Sequence, residues 1–471
     1  AVHYLTLVKR YLNNIEDYKY NGLWSPMGVW LTVIFVKLTH WNELFEAALI
    51  VNAIGAFGLV MLSQYLCNKY ILIRYNRWIF ALFNALFWSY AVYKQSFTDI
   101  WFYFFLTISF LVASDKELLK KPSKWLLLGI LAAVCFYSKS YALHFFPLML
   151  FVLEVVKAYL NRASIPFKKI FLMIIVVMVI MWILLAPWAY LLTKQYGFFT
   201  VSTTGSMCLS WFMYGTFIPK DSYAILQPPL DQFSTNYFED PWYVQDYFPQ
   251  FYHSIRFFFK QVVRVGYNVI DFVMAANHIS AFYLITLFLS LYLVLKRRID
   301  IMSPSLLLVA TLMIIFPIGF WLKGFELGRY IWITVPLSFI IMLFFYNEKI
   351  QFYLPKWIRP IGVFLIALSF VIGPVIDLKD VYKDGYTDHH NAETLKEHKL
   401  TQLPFVCNKT PDDAMYQSII RMAYMSENRW YQHIIPDMTN MVLIPEAKKF
   451  KVTHYFYFYD DVTSDYVPLN E

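Results

Sequence analysis

Apolar residues are grouped along the chain in long runs that short polar segments separate. An α-helix needs about 20 apolar residues to cross a bilayer, and several runs approach or reach that length. Ten runs of this kind lie near residues 43–65, 77–93, 99–114, 124–138, 141–160, 169–193, 279–296, 304–322, 330–346 and 360–376. The pattern predicts an all-α polytopic membrane protein in which neighbouring helices surround the shorter runs.

Basic residues recur in every second loop between these runs. The clusters lie in the loops at 67–77, 115–124, 156–169, 296–302 and 347–359. Positively charged loops stay in the cytoplasm, so we expect these loops on the cytoplasmic side of the membrane. The remaining segments, which include residues 1–42 and 194–278, are then expected on the extracytoplasmic side.

Two of the extracytoplasmic segments are expected to lie at the membrane surface. The run Pro26–Leu38 is apolar but short, and a further span there would break the alternation of basic loops. It therefore predicts a helix at the outer interface. Residues 194–278 are rich in aromatic residues, which favour the boundary between membrane and water.

The last part of the chain changes character. Residues 377–471 are polar and charged, with a helical pattern near 411–426 and a β-rich run at Lys451–Tyr459. We therefore predict a transmembrane domain at 1–376, followed by a small extracytoplasmic α/β domain.

Composition supports the membrane assignment and excludes other classes. Hydrophobic residues make up 59% of the 471 residues and charged residues 15%, whereas soluble domains carry roughly 25% charged residues. The net charge of +8 is concentrated in the loop clusters, so it indicates membrane orientation and not nucleic-acid binding. The cysteines form no CxxC pair, which argues against a zinc site, but a bridge between Cys208 and Cys407 stays open.

Ionisable residues at the edges of the spans are the first candidates for chemistry, because charges near the bilayer are costly and usually functional. Asp99 opens a span after a very short loop, and a simple helix-capping role is the alternative. Lys139 lies between two spans on the extracytoplasmic side. It suits a phosphate as a compact charge, while a lysine that merely extends to the interface is the alternative.

Further candidates lie in two extracytoplasmic loops. Glu326 and Arg329 stand close together, and the planar guanidinium suits a phosphate, although an ion pair between the two residues is also open. Near the N-terminus, His3 and Tyr4 open a helical pattern, and Asn21–Pro26 marks a turn. A carboxylate and several cations are thus predicted at one face of the membrane, which suits an anionic, membrane-borne ligand.

These pieces together resemble the GT-C superfamily of polyprenyl-phosphate-sugar-dependent glycosyltransferases. Within this superfamily, the chain most resembles two families: the protein O-mannosyltransferases and the bacterial lipid A aminoarabinose transferases. The matching segments are Ala1–Leu5, Asn21–Met27, Thr98-Asp99, Ser138-Lys139-Ser140 and Arg329-Tyr330. The resemblance covers about residues 1–350 and, more loosely, the C-terminal domain. Relatives of the aminoarabinose type have Lys where Ser25 stands, so that contact with phosphate is not carried over.

The resemblance also implies an acidic residue immediately before Ala1. The chain is therefore expected to begin just after its first catalytic aspartate and to lack the first transmembrane helix of the family. That aspartate would be the general base, and Asp99 would orient the acceptor or share the role. Lys139, Arg329 and His3 would hold the donor phosphate. The further substrate-binding candidates are Tyr4, Trp24, Glu326 and Tyr330.

The activity implied is inverting transfer of a sugar from a polyprenyl phosphate to a lipid, glycan or protein acceptor. It would take place at the extracytoplasmic face of the cell inner membrane. No cofactor is certain, and a divalent cation stays open because some GT-C enzymes use one. Two alternatives remain: a lipid-linked polysaccharide polymerase or ligase, and a polyprenyl-lipid transporter or flippase. The transporter would place broken or charged helices at mid-membrane, whereas these groups lie at its edge.

Overall fold

The structure is a computed structural model, and it describes residues 2–16, 18–94, 98–214, 226–243, 248–323, 328–409, 415–433, 440–458 and 464–468. Most of these residues are helical. The helices are α1 Val2–Leu12, α2 Met27–Thr39, α3 Leu44–Tyr70, α4 Arg74–Tyr93, α5 Asp99–Ala113, α6 Pro122–Ser138, α7 Ala142–Leu160, α8 Phe167–Tyr196, α9 Thr204–Tyr214, α10 Ile255–Ile279, α11 Ala281–Leu295, α12 Pro304–Ile315, α13 Ile318–Lys323, α14 Thr334–Phe345, α15 Arg359–Glu397, α16 Tyr416–Met425 and α17 Asn440–Lys449.

The strands form two small sheets. They are β1 Leu226–Gln227, β2 Pro404–Cys407, β3 Arg429–Trp430, β4 Gln432–His433, β5 His454–Phe458 and β6 Ser464–Pro468. One sheet has the order β3-β2-β5-β6, in which β2 pairs in parallel with both neighbours and β5 pairs antiparallel with β6. The other joins β1 to β4, which are about two hundred residues apart in the chain, with Gln227 opposite Gln432.

Each of the ten apolar runs coincides with one or two helices. Not all of these helices are long and apolar enough to cross a membrane by themselves. In the described ranges, five segments are long and apolar enough to cross a membrane: α3, α7, α8, α12 with α13, and α15. A sixth is added if α10 and α11, which are bent by 118°, form one span. The remaining runs form shorter or more polar helices that pack among the others. In α14, for example, every residue from Thr334 to Leu343 is buried. The chain is thus a multi-pass helical membrane protein.

The two ends of the helix bundle differ in their chemistry. Helix α5 has 15 residues, so its ends lie about 22 Å apart. Just beyond its C-terminus, Asp115 forms ion pairs with Lys121 and Lys124. Lys157 of α7 closes the same end, because its amine donates to the carbonyl oxygen of Ala113 at 2.5 Å. We call this the basic end of the bundle, and the opposite end, where α5 begins, the site end.

The C-terminal α/β domain packs against helices from both termini of the chain. Its core contains Phe405 of β2 and Ile419 of α16, with Leu395 from the last turns of α15. Val2 of α1 belongs to the same core. Helix α15 is continuous through residue 376, so it leads directly from the bundle into this domain. The structure contains no disulfide between the four cysteines, all of which lie in the described ranges, so the bridge between Cys208 and Cys407 that the sequence left open is not formed.

The segment Pro26–Leu38 and residues 194–278 contain helices of different kinds. The first is helix α2, as its apolar run predicts. The second contains α9 and the longer α10, which the sequence analysis did not anticipate. Helix α10 buries Asn268, Phe272 and Ala276, while large apolar side chains on its other side are exposed.

Candidate functional site

Asp99 lies between two cations at the site end of the bundle. It is the first residue of α5 and is only 2% exposed. One carboxylate oxygen accepts a hydrogen bond from the amine of Lys139. The other lies 3.4 Å from Nε of Arg329, which completes a second ion pair. Two positive charges therefore converge on one buried carboxylate.

The elements that carry these residues explain the convergence. Asp99 occupies the first turn of α5, where the helix dipole favours a negative charge. Lys139 follows the end of α6 and precedes α7 after a very short turn, so its position is fixed by two helices. Arg329 lies in the loop between α13 and α14. Its carbonyl oxygen accepts a hydrogen bond from the hydroxyl of Tyr103, which ties this loop to α5.

Aromatic rings hold the amine of Lys139 in place. The amine lies 4.6 Å from the ring centre of Tyr330 and 5.5 Å from that of Phe320. These two rings stack on each other at 4.6 Å, and Phe320 also stacks on Tyr141 at 4.2 Å. A cation beside an aromatic face is attracted by the ring, and this attraction strengthens where water is excluded. The lysine is thus preorganised beside Asp99.

The N-terminal helix brings Tyr4 to the same place. Its hydroxyl lies 3.4 Å from the side-chain oxygen of Thr98, which directly precedes Asp99. The ring of Tyr4 packs edge-on against Trp24 at 5.3 Å. Tyr4, Trp24 and Tyr330, which were selected from the sequence, therefore lie around the ion pairs. Glu326 lies outside the described residues.

His3 occupies a different environment from the two cations. Its ring stacks on Trp24 at 5.1 Å and packs against Phe238 at 5.9 Å. Burial lowers the pKa of His3 to about 3. The imidazole is therefore neutral at physiological pH, so it adds no positive charge to the site. Its Nδ1 atom has no hydrogen-bond partner within the described part of the chain.

A second buried charge cluster supports the wall of the site. Arg10 of α1 is fully buried and forms ion pairs with Asp231, at 3.0 Å, and with Glu239. The carbonyl oxygen of Glu239 in turn accepts hydrogen bonds from the indole of Trp24, at 2.8 Å, and from the amide of Asn21, at 2.9 Å. Arg10 thus fixes the segment against which Trp24 packs.

Arg10 was missed in the sequence analysis, because its burial is visible only in the structure. It lies seven residues after His3, two helical turns further along, so both face the same side of α1. That side also carries Leu7, and all three residues are buried. A charged residue on an otherwise buried helix face indicates a buried partner, but the partner's position could not be inferred.

The described residues do not form a metal site by themselves. Across those ranges, no three side chains of His, Cys, Asp and Glu gather closely enough to hold an ion. Both oxygens of Asp99 face cations, which is the opposite of the environment that a metal ligand needs. The geometry therefore supports anion binding by Lys139 and Arg329 and gives no support to a metal at Asp99.

Comparisons with known proteins agree with this architecture. No family model and no curated protein matches the sequence. Two solved structures of the oligosaccharyltransferase of the archaeon Archaeoglobus fulgidus do match, each with a TM-score of 0.50 and 13% identity. The fold is GT-C. The matches cover 99% and 97% of this chain, but only 69% and 65% of the archaeal one.

The two archaeal structures contain different ligands. One is tethered to an acceptor peptide that contains the NVT sequon. The other holds an inhibitory peptide and a dolichol-phosphate. At 13% identity this likeness defines the GT-C fold and not the substrates of the present chain.

Proposed function

We propose that the protein is a GT-C glycosyltransferase that moves a sugar from a polyprenyl-phosphate donor to an acceptor. The reaction would invert the anomeric centre and take place at the extracytoplasmic face of the cell inner membrane. One observation carries the proposal: Asp99 is buried at a helix end between Lys139 and Arg329. In such a group the carboxylate can accept the proton of the acceptor, while the two cations stabilise the departing phosphate.

The charge balance of this group suits a phosphate. Lys139 and Arg329 supply two positive charges against the single negative charge of Asp99, so one is left uncompensated among these three residues. A lipid phosphate that enters beside the cations restores the balance, and its oxygens match the guanidinium fork. The negative charge that develops on the leaving phosphate is then stabilised by groups already in position.

The other residues would complete the two substrate sites. As Lys139 and Arg329 turn to the phosphate, Asp99 is released to orient the acceptor hydroxyl or to accept its proton. Tyr4, Trp24, Tyr330 and Glu326 would line the sugar and acceptor positions, and His3 would contribute a neutral hydrogen bond near the donor.

The finer assignment rests on sequence resemblance. The segments shared with protein O-mannosyltransferases and aminoarabinose transferases favour a hexosyl or pentosyl unit on a polyprenyl phosphate. The dolichol-phosphate held by the archaeal oligosaccharyltransferase supports a lipid-phosphate donor, and the peptide supports an acceptor outside the membrane. Transfer assays with lipid, glycan and peptide acceptors determine which class of acceptor the protein uses.

The test is transfer activity of the full-length protein in membranes. We would supply a panel of polyprenyl-phosphate sugars with lipid, glycan and peptide acceptors and identify products by mass spectrometry. Asp99→Asn should lower turnover by about 10²–10⁴-fold, because it removes the charge but keeps the shape. Asp300→Asn is the matched control, since Asp300 is an exposed residue paired with Arg298 near the basic end. An Asp99→Asn protein that melts normally and transfers sugar at the normal rate would contradict the proposal.

A further inference from the structure

A groove opens between α3 and α5 at the basic end of the bundle. Its volume is about 460 Å³, and its walls include Leu62, Leu66 and Lys69 of α3 and Phe110 and Ser114 beside them on α5. These positions recur at helical spacing, so each helix turns one face towards the groove. A volume of this size is typical of sites for small ligands. The groove lies at the opposite end of α5 from the candidate functional site.

The packing of the two helices explains where the groove begins. A Cβ atom added at Gly58 of α3 would lie 2.5 Å from the ring of Phe104 on α5, so the helices are in close contact there. Small residues permit such an approach between helices in a membrane. One turn further along α3, Leu62 already lines the groove. Tyr65 on its rim is 57% exposed, so the groove opens on the outside of the bundle, where lipid surrounds the protein.

The groove changes from apolar to polar along its length. Leu66 and Phe110, which line its inner part, are each 1% exposed. Lys69 and Ser114 lie at the basic end, where α3 and α5 finish. The seven residues from Leu62 to Lys69 extend about 10 Å along the helix axis. A polar mouth above an apolar interior of this depth matches an amphiphile with a polar head and a hydrocarbon chain.

Positive charge is in excess at the mouth. Asp115 also lines the groove, but its carboxylate is already paired with Lys121, at 3.1 Å, and with Lys124. Lys69 adds a further positive charge. Three cations therefore face one carboxylate. The mouth favours an anionic head group over a neutral or cationic one.

The surroundings of the mouth leave this excess unchanged. Lys120 and Glu117 pair with each other at 3.3 Å and are neutral as a unit. Lys69 is exposed, and its amine lies 5.4 Å from the ring centre of Tyr70, a residue type that favours the boundary between membrane and water. Basic pockets between helices at this boundary are suited to the phosphates of lipid head groups.

We propose that the groove between α3 and α5 binds an anionic glycerophospholipid of the surrounding membrane. The phosphate of the lipid lies beside Lys69, and one acyl chain lies along Leu66 and Phe110. The bound lipid bridges α3 and α5 and so stabilises the helix that carries Asp99 at its other end. This site is separate from the proposed donor site, and the inference does not depend on the proposed function.

The experiment titrates the full-length protein in detergent with phosphatidylglycerol and counts bound lipids by native mass spectrometry. Phosphatidylcholine with the same acyl chains is the lipid control, and we expect it to bind more weakly. Lys69→Gln should weaken phosphatidylglycerol binding by about fivefold, because it removes one positive charge beside the head group. Lys356→Gln is the matched control, since this exposed lysine of another basic loop does not line the groove, and it should leave binding unchanged.

A second pair of variants tests the position of the acyl chain. Leu62→Trp places a larger side chain in the groove without a change of charge, and it should also weaken phosphatidylglycerol binding. Leu86→Trp is its control, because Leu86 is an exposed residue of α4. Glycerol 3-phosphate carries the phosphate without chains. If it competes as well as the lipid does, the groove binds a free phosphate and the lipid proposal is wrong.

Thermal unfolding gives an independent measurement. A ligand that binds only the folded protein raises its melting temperature, so phosphatidylglycerol should stabilise the wild type more than Lys69→Gln. Melting without added lipid establishes that each variant is folded, and Lys69→Gln at an exposed position decides the question if Leu62→Trp does not fold. Equal binding of the two phospholipids by the wild type would overturn the proposal. Equal binding of phosphatidylglycerol by Lys69→Gln and Lys356→Gln would overturn it as well.

Discussion

Arg10 is expected to contribute strongly to the stability of the fold. It is fully buried and pairs with Asp231 and Glu239, which come from a segment more than two hundred residues away. Removal of one partner from a buried ion pair leaves an uncompensated charge, which costs about 3–5 kcal/mol. The segment around Glu239 also carries the acceptor for Trp24, so the cost is transmitted to the wall of the site.

We therefore expect Arg10→Met to lower the free energy of unfolding by about 3–5 kcal/mol. Arg298→Met is the control, because Arg298 pairs with Asp300 at an exposed position, where ion pairs are worth about 0–1 kcal/mol. Chemical denaturation in detergent, followed by circular dichroism, measures both. Equal changes in the free energy of unfolding would show that the buried ion pairs of Arg10 stabilise the protein no more than the exposed pair of Arg298 does.

Two buried carboxyl groups near Arg10 give stability a definite pH dependence. Burial raises the pKa of Glu239 to about 7, although Arg10 opposes the shift, and burial raises the pKa of Asp240 to about 7. In the unfolded chain these groups titrate near 4.5 and 3.8. The folded protein thus holds more protons between these limits. Their contribution is fully present below the unfolded values and is lost as the pH rises toward 7.

The melting temperature should accordingly fall as the pH rises from about 5 to about 8. The double variant Glu239→Gln with Asp240→Asn cannot titrate at these positions, so its melting temperature should vary less over the same range. Differential scanning fluorimetry of both proteins in one buffer series makes the comparison. A variant whose slope equals that of the wild type would assign the titration to other groups.

Sequence reasoning located Asp99, Lys139 and Arg329 but missed Arg10 for a physical reason. The first three are exceptions to a strong pattern, because a charge at the apolar edge of a span is rare and conspicuous. Arg10 stands beside Lys9 in a helix of mixed polar and apolar composition, where a charged residue is not unusual. Its burial depends on a loop far along the chain, and single-sequence patterns carry no information on such contacts.

At the level of elements, two glycines in α15 differ in the space that is available for a side chain. A Cβ atom at Gly373 would lie 2.0 Å from the carbonyl oxygen of His278, at the bend between α10 and α11. At Gly385, nothing lies within 4 Å of such an atom. The first glycine permits close contact between helices, and the second only adds flexibility to an exposed stretch.

We expect Gly385→Ala to stabilise the protein by about 0.5–1 kcal/mol, since alanine favours helix over glycine by that amount. Gly373→Ala should destabilise the protein, because the backbone of α15 and the backbone at His278 must move apart to admit the methyl group. Thermal unfolding of the two variants beside the wild type gives the sign directly. A stabilising Gly373→Ala would mean that the contact between α15 and the bend is loose.

Helix α10 is the main element that the hydropathy pattern missed. Charged residues interrupt its apolar positions, so no window along it resembles a span. Its exposed apolar side chains lie on one face and include Phe258, Val262 and Ile270. We therefore expect this face of α10 to lie along the membrane interface. The spans themselves were easier to predict, because long uninterrupted apolar runs have few alternative structures.

Spin labels can test whether the apolar face of α10 contacts lipid. In a variant without the native cysteines, Val262→Cys and Lys260→Cys place labels two residues apart, about 200° around the helix. Both positions are exposed. In bilayers, the label at 262 should be more accessible to oxygen and the label at 260 to a water-soluble nickel complex. Equal accessibility of both labels to the nickel complex would place the whole helix in water.

On the scale of the whole molecule, the C-terminal α/β domain is held by contacts from distant segments. Val2 enters its core, Lys9 lies over the ring of Tyr424 at 4.6 Å, and the two-residue strands β1 and β4 pair across the interface. Neither strand is long enough to give a periodic signal. The existence of the domain could therefore be predicted from its polar composition, whereas its attachment to the site end could not.

This attachment gives the membrane orientation a sharp test. The basic end and the C-terminal α/β domain lie at opposite ends of the bundle, because α5 runs from Asp99 to the Asp115 cluster while α1 joins the site end to α16. If the basic loops face the cytoplasm, the domain must lie outside. Two exposed lysines mark the two sides: Lys120 in a basic loop and Lys396 at the end of α15.

We expect Lys396→Cys, in a protein without native cysteines, to react with a membrane-impermeant maleimide in intact spheroplasts. Lys120→Cys should react only after the membrane is opened, because the bilayer separates its loop from the reagent. Gel-shift detection after a fixed labelling time compares the two, and full labelling of both in detergent establishes that each thiol is accessible. Reaction of Lys120→Cys but not Lys396→Cys in intact spheroplasts would invert the orientation. The proposed site beside Asp99 would then face the cytoplasm, and a donor on the extracytoplasmic leaflet could not reach it.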